Sequence, residues 1–175
     1  LAPPPPPPSF GIWPQFQHDA RHTGRSEFTG PATSTIKWSF TPPTSTVPLT
    51  GGFLNSPVIG PDGTIYLGAG TQTNGNMIAV NPNGSVKWIS PNLPASPSTP
   101  AIVTDSFVIV AAGSEDFGTD IHAFNADTGA LLWSFPAGDK VNFMTASPSG
   151  TLYFVNEPGS LFSLTPSMTT STLNW

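Results

Sequence analysis

The residues of this chain that could act chemically are few and widely spaced. His18 and His22 stand four apart, the spacing that places two imidazoles on one helical face, as in zinc sites. Asp19 rather than Glu follows His18, Gly24 comes soon after His22, and no third ligand is evident. The favoured reading is a lead-in segment hydrogen-bonded to the first folded unit. Glu115, Asp116 and Asp120 share the loop "SEDFGTD", an oxygen-rich stretch of the kind that can hold calcium. Calcium needs about six to eight converging oxygens, and the spacing is not that of an EF-hand. A solvated acidic loop is therefore favoured, and these three are only weak calcium candidates. His122, between Ile121 and Ala123, reads as a partly buried, hydrogen-bonded histidine in a strand.

Nucleophilic catalysis has no support in the motifs. There is no G-x-S-x-G elbow, and with three histidines among many serines a triad would arise only by chance. "GAGTQTNG", residues 68–75, is rich in Gly but lacks the Lys and the following helix of a phosphate loop; a hairpin connection accounts for it. Asn125 and Asp127, in "FNADTGALLW", read as turn residues rather than catalytic ones. The expectation is a non-enzymatic protein with no catalytic residue and no cofactor. One modification signal stands out: Asn83-Gly84-Ser85 is an N-glycosylation acceptor in an expected exposed turn. Asn55 is removed from consideration by Pro57.

The elements that must position these residues follow from composition and period. The 175 residues suffice for one domain with a real core. Charged residues make up 9%, the net charge is -5, and Arg21, Arg25, Lys37, Lys87 and Lys140 are scattered singly. No basic stripe exists to follow phosphates, so nucleic acid is not an expected partner. The apolar runs fall far short of the roughly 20 residues that cross a bilayer. The absence of Cys excludes disulfides, thiolate catalysis and sulfur-ligated metals. A bias toward Pro, Gly, Ser, Thr and Asn with few Lys and Glu points to an extracellular or cell-surface setting, with the periplasm as alternative. Leu1 in place of an initiator Met fits a processed or partial chain.

Residues 1–9, "LAPPPPPPS", read as a polyproline II tether, because each Pro fixes φ and removes a donor. The alternatives to a solvated linker are a docking rod against a neighbour's aromatic groove or a glycosylated stalk. A lead-in spans 10–34, and repeats fill 35–175. Trp38, Trp88, Trp133 and Trp175 recur at spacings of 50, 45 and 42, near the roughly 40–50 residues of a four-stranded propeller blade. Three units, about 41–89, 90–135 and 136–175, each hold four short β-rich runs with Trp in the last. "TIKWSF", residues 35–40, is a further stray strand of the last kind. Sustained helical periodicity is absent, so the fold expected is all-β, with propeller-type blades of four antiparallel strands.

Ala123, Asn125, Thr128, Gly129 and Trp133 match the tryptophan-docking pattern A-x-[DN]-x-x-T-G-x-x-x-W, and here the chain resembles the PQQ-like (quinoprotein-type) β-propeller repeat family. The first unit is similar but one residue shorter, with Ala79, Asn81, Gly84 and Trp88; the third keeps only Gly159 to Leu164 and Trp175. "WPQFQHDARHTGRS", residues 13–26, looks like the lead-in of bacterial members. The resemblance implies that Trp38, Trp88, Trp133 and Trp175, with Gly84 and Gly129, dock successive blades together. Quinone enzymes of this fold use a complete ring, a calcium-held cofactor, a catalytic Asp and often a vicinal disulfide; a quinone-dependent oxidoreductase remnant is the third choice here.

Three units and one stray strand fall short of the four or more blades of a closed ring. The chain is then a fragment of a longer protein, an irregular ring using residues 10–34, or an open arc completed by neighbours. The reading adopted is a self-assembling subunit of an extracellular filament or surface assembly, whose partners are copies of itself and, at Asn83, glycans. The alternative is a protein-binding scaffold propeller of the outer-membrane-assembly kind.

Overall fold

The computed structural model describes residues 13–26, 32–43, 55–114, 118–157 and 159–175. The polyproline tract, Glu115 and Asp116 lie outside the described residues. Within them the chain is all-β, with twelve antiparallel strands in three four-stranded sheets and no helix. Sheet I holds β1 (Val58–Ile59), β2 (Ile65–Gly70), β3 (Gly75–Val80) and β4 (Val86–Ile89). Sheet II holds β5 (Ile102–Val103), β6 (Phe107–Ser114), β7 (Gly118–Asn125) and β8 (Leu131–Pro136). Sheet III holds β9 (Val141–Ala146), β10 (Leu152–Asn156), β11 (Leu161–Pro166) and β12 (Ser171–Leu173). Each is a meander in which every strand pairs with the next in sequence, as short turns dictate.

The turns are written in the local sequence. Between β1 and β2, Gly63 takes φ +80° while Asp62 accepts from the Thr64 N–H (2.9 Å) and hydroxyl (2.7 Å), an Asx-type closure. "GAGTQTNG" is the β2–β3 hairpin, closed by Thr71 N–H donating to the Asn74 carbonyl (2.6 Å). The last pair of strands in sheets I and II carries a bulge in one position. Ala79 faces Trp88 and Val80 faces Val86, leaving Lys87 extra; Ala123 faces Trp133 and Phe124 faces Leu131, leaving Leu132 extra. In sheet III Leu164 faces Leu173, and Ser163 donates to the Trp175 carbonyl (3.2 Å) and accepts from Asn174 N–H (2.8 Å), so two residues again oppose one. The extra residue turns each Trp onto the face of the sheet that looks toward the next sheet.

Sheet II is covered on both sides, which explains the unbroken apolar run of β6. Val108, Val110 and Ala112 pack with Phe124 against Tyr66, Ala79 and Trp88 of sheet I. Ile109 and Ala111 pack with Ile121 and Trp133 against Leu152, Phe154 and Leu164 of sheet III. Order along the molecule is thus I, II, III.

The lead-in ties the first strands of all three sheets together, where the sequence pointed to the first unit alone. Trp13 exchanges both backbone hydrogen bonds with Ile59 of β1 (3.0 and 2.8 Å), and the Pro14 carbonyl accepts from Val103 N–H of β5 (2.8 Å). Gln15, 2% exposed, accepts through Oε1 from the Thr145 hydroxyl (3.0 Å) and the Ala146 N–H (3.1 Å) of β9. Three consecutive residues thus touch three sheets. "TIKWSF" departs from expectation differently: residues 35–40 form no ladder among the described residues. Trp38 and Phe40 pack instead on the outward face of sheet I, over Ile65, Leu67, Ile78, Val80 and Ile89.

Gln15→Leu would leave the buried Ala146 N–H without its acceptor. A loss of about 1–3 kcal/mol is expected in chemical denaturation, with Gln17→Leu, at an exposed site one turn on, as the neutral control.

Candidate docking site

The sequence-defined tryptophans converge on one repeated contact. The Trp88 indole N–H donates to the Ala126 carbonyl in the β7–β8 turn of sheet II (2.9 Å). Trp133 does the same to the Ser167 carbonyl in the β11–β12 turn of sheet III (2.8 Å), and Trp38 to the Pro82 carbonyl in the β3–β4 turn of sheet I (3.0 Å). Trp88 and Trp133 are 7% and 8% exposed. Trp88 and Trp133 each cross from one sheet to the next and bond a turn carbonyl there, while Trp38 reaches the sheet I turn from outside the sheets.

The turns are shaped for this. Asn125 Oδ1 accepts from Asp127 N–H (3.0 Å), Thr128 N–H (2.9 Å) and the Thr128 hydroxyl (3.1 Å), which holds the loop tight. Gly129, at φ +72°, lies under the Trp88 ring: a Cβ there would stand 2.6 Å from Cδ2. Gly84, at φ +88°, lies under Trp38 in the same way, with a Cβ at 2.9 Å. Glycine is required twice over at both positions, by dihedral and by space. The turn of sheet III has Ser167 to Thr170 instead, closed by Ser167 hydroxyl and backbone bonds to Thr170.

Two contributors are not evident in the motif. Tyr66, fully buried, stands beside Trp88 with ring centroids 5.6 Å apart, and its hydroxyl donates to the same Ala126 carbonyl (3.3 Å). Burial, helped by the nearby Asp62 charge, pushes its pKa up to about 12, so it stays a donor at any ordinary pH. Lys87, the bulge residue, reaches Asp62 of its own sheet (3.0 Å) and Asp127 of the next (3.5 Å). Asp62 is held below the usual carboxylate range: burial raises it, but the Thr64 and Lys87 hydrogen bonds outweigh that. Asp127 is thereby accounted for as a surface ion-pair partner.

Sheet III repeats the donor side of this contact, with no receiving turn among the described residues. Tyr153 pairs with Ser163 as Tyr66 pairs with Ala79, and its ring lies 6.4 Å from that of Trp175. Trp175 is 60% exposed, and among the described residues no carbonyl accepts from its indole. Phe143 (75% exposed) and Leu161 (52%) share that face, facing Val155 across the ladders. A cleft of about 470 Å³ opens beside them, bordered by Phe16, His22 and Tyr153.

The other sequence-marked groups fall elsewhere. His18 and His22 share no helical face: Gln17, His18 and His22 all have positive φ (56°, 81° and 52°). His18 lies against the Trp13 ring at 4.9 Å, while His22 Nδ1 meets the Phe16 carbonyl (3.0 Å) and Nε2 the Thr145 hydroxyl of sheet III (3.5 Å). Asp120 sits within β7, opposite Ala112 and Pro136, and among the described residues no group of three or more His, Asp or Glu could hold a metal. Asn83 is exposed in the β3–β4 turn; its Oδ1 accepts from Ser85 N–H and hydroxyl, leaving Nδ2, the atom that takes a glycan, outside those bonds. His122 is buried outright, bonded through Nδ1 to the Ser134 hydroxyl (2.8 Å). No protein-family model matches the sequence, and no curated protein matches it.

Trp133→Ala, which empties the II–III junction, is expected to cost about 3–5 kcal/mol in denaturant unfolding. Asp127→Ala, which removes one exposed ion pair, should cost less than about 1 kcal/mol. Burial lowers the His122 pKa below its ordinary 6.5 against a weaker pull from Asp120. The unfolded chain then takes the proton first as pH falls, so the contribution is complete above about 6.5 and is lost through the depressed folded pKa. Stability measured between pH 7 and 5 should fall, and His122→Gln should flatten part of that slope.

Proposed function

We propose that the three sheets are successive blades of the PQQ-like propeller type and that the protein is a non-enzymatic extracellular structural subunit that assembles head to tail with copies of itself. The observation that carries this reading is the open end of the indole relay. Trp38, Trp88 and Trp133 each reach a neighbouring turn, and Trp175 stands in the same register, 60% exposed among the described residues. A face bearing Phe143, Leu161 and Trp175 exposed together is an association surface rather than ordinary solvent-facing sheet.

The opposite end is complementary in kind. The outward face of sheet I is apolar and, among the described residues, is covered by Trp38 and Phe40, with a further cleft of about 330 Å³ beside them. Two different faces at the two ends of one molecule make a heterologous contact, and such a contact propagates as a filament unless its rotation closes a ring. The low charge and the Ser, Thr and Asn bias support an extracellular setting, and Asn83 is exposed in the β3–β4 turn. A protein-binding scaffold is the second reading, favoured by the cleft beside Phe143, which would take an apolar strand of another protein.

Sedimentation velocity of the full chain across a hundredfold concentration range, with electron microscopy of the most concentrated sample, tests the assembly. Species that grow with concentration into regular filaments or rings are expected. A strict monomer that captures no second copy at any concentration would set the assembly aside in favour of the scaffold.

A further inference from the structure

The two faces of sheet II differ in one respect that matters for pH. Toward sheet III, β7 and β8 present Ile121, Ala123 and Trp133, none of which ionises. Toward sheet I, Phe124 packs with Val108 and Val110. His122 joins this second set. It stands two residues before Phe124 on β7, with ring centroids 6.4 Å apart, and side chains two apart on a strand share a face. It is 4% exposed and, among the described residues, is the one histidine within a strand. The I–II junction therefore encloses a group whose ordinary pKa lies between pH 5 and 8, and among the described residues the II–III junction does not.

The site suits a neutral ring. Nδ1 meets the Ser134 hydroxyl of β8 (2.8 Å), and the enclosed Nε2 has no hydrogen-bond partner among the described residues. A charged imidazole donates from both nitrogens, so protonation would bury a charge and leave one N–H facing no protein acceptor. Little is at hand to offset this. Asp120, two residues earlier on the same face of β7, attracts the charge less than burial opposes it. β6 and β8 contribute no titratable side chain. In sheet I the titratable groups are Asp62, Tyr66 and Lys87, and they are engaged at the turn end of the junction, with one another, Asp127 and the Ala126 carbonyl. Asp105 lies in the β5–β6 turn, next to Ser106, whose carbonyl accepts from Ala126 N–H (3.0 Å). Glu115 and Asp116, between β6 and β7, lie outside the described residues.

We propose that the I–II junction is an acid-released joint: protonation of His122 loosens sheet II from sheet I while the II–III junction holds, and neutralisation closes it again. The proton acts as a ligand that prefers the open arrangement, where the ring meets water, and it draws the population that way. The stabilising contribution of the neutral ring is complete above about pH 6.5 and is lost as pH falls toward its depressed value in the closed state. Trp13 and Pro14 bond to β1 and β5, the first strands of the two sheets, so these strands serve as the hinge. Trp88 and Ser134 belong to β4 and β8, the last strands, and the joint opens on their side. Opening breaks the Trp88 bond to the Ala126 carbonyl and spares the Trp133 bond to Ser167. The joint works within a single chain and stands whether or not chains assemble.

Solution NMR of the full chain in dilute solution reads the two junctions separately. The hydrogen-exchange rates of the Trp88 and Trp133 indole N–H groups, each divided by the rate of a free indole at the same pH, report the opening of I–II and of II–III. From pH 7 to pH 5 the opening at Trp88 should rise relative to that at Trp133 by up to about 25-fold, the limit set by an open-state imidazole titrating near 6.5. Return to pH 7 should restore the first ratio. Equal changes at both indoles, or a ratio that does not move, would overturn the joint.

Three variants tie the effect to the ring. His122→Gln and His122→Phe are neutral throughout this range by different chemistry, so a loss of fold in one leaves the other to report, and each should hold the ratio constant with pH. Ser134→Ala removes the Nδ1 partner but keeps the titrating ring, and its ratio should still change with pH. A pH-dependent ratio that persists in a folded neutral variant would place the acid response elsewhere, as would a ratio that Ser134→Ala makes insensitive to pH.

Discussion

One hydrogen bond organises the molecule: an indole N–H from the last strand of one sheet to a turn carbonyl of the next. A meander of four short strands buries only one face well by itself and leaves its other face to be covered. The indole contributes in two ways: its ring fills the space between sheets, and its N–H bonds a turn carbonyl at the junction, at Ala126 together with the Tyr66 hydroxyl. The bulge at Lys87 and Leu132, the left-handed glycines at 84 and 129 and the Asn125 turn are all arrangements for bringing ring and carbonyl together. Tyr66 and Lys87 reinforce the same junction, the first from within and the second from its solvent edge.

The strands and their grouping were legible in the sequence because short alternating runs, Gly- and Asn-bearing turns and an evenly spaced Trp are local signals. All twelve runs became strands, and the last of them, β12, covers Ser171–Leu173. What local pattern could not convey was contact across long separations. Nothing in "WPQ" announces that three successive residues reach three sheets, since Gln15 meets Thr145 at a separation of 130 residues. Tyr66 and Tyr153 likewise look like ordinary strand aromatics until the register places each beside a Trp. "TIKWSF" has the composition of a strand and lacks a partner, and composition does not reveal partners.

The histidine spacing gives no shared face for a related reason. Four residues apart means one face only if the backbone is helical, and the left-handed dihedrals at Gln17, His18 and His22 send the two rings to different neighbours. Asp19 stabilises that path by accepting from Arg21 and Thr23 backbone N–H groups and the Thr23 hydroxyl. The segment between Phe16 and Thr23 carries three non-glycine residues at positive φ, and it sits where the lead-in leaves the three sheets and meets the exposed face of sheet III.

The crossing of residues 13–15 over β1, β5 and β9 also bears on how the molecule comes together in time. Each sheet is built from neighbours in sequence and can form early and alone, as units of a repeat array do. The lead-in cannot, because its partners Ile59, Val103 and Ala146 stand together only after all three sheets have formed and aligned. Residues 13–15 are therefore expected to settle last, tying three sheets of mainly local contacts into a single cooperative body.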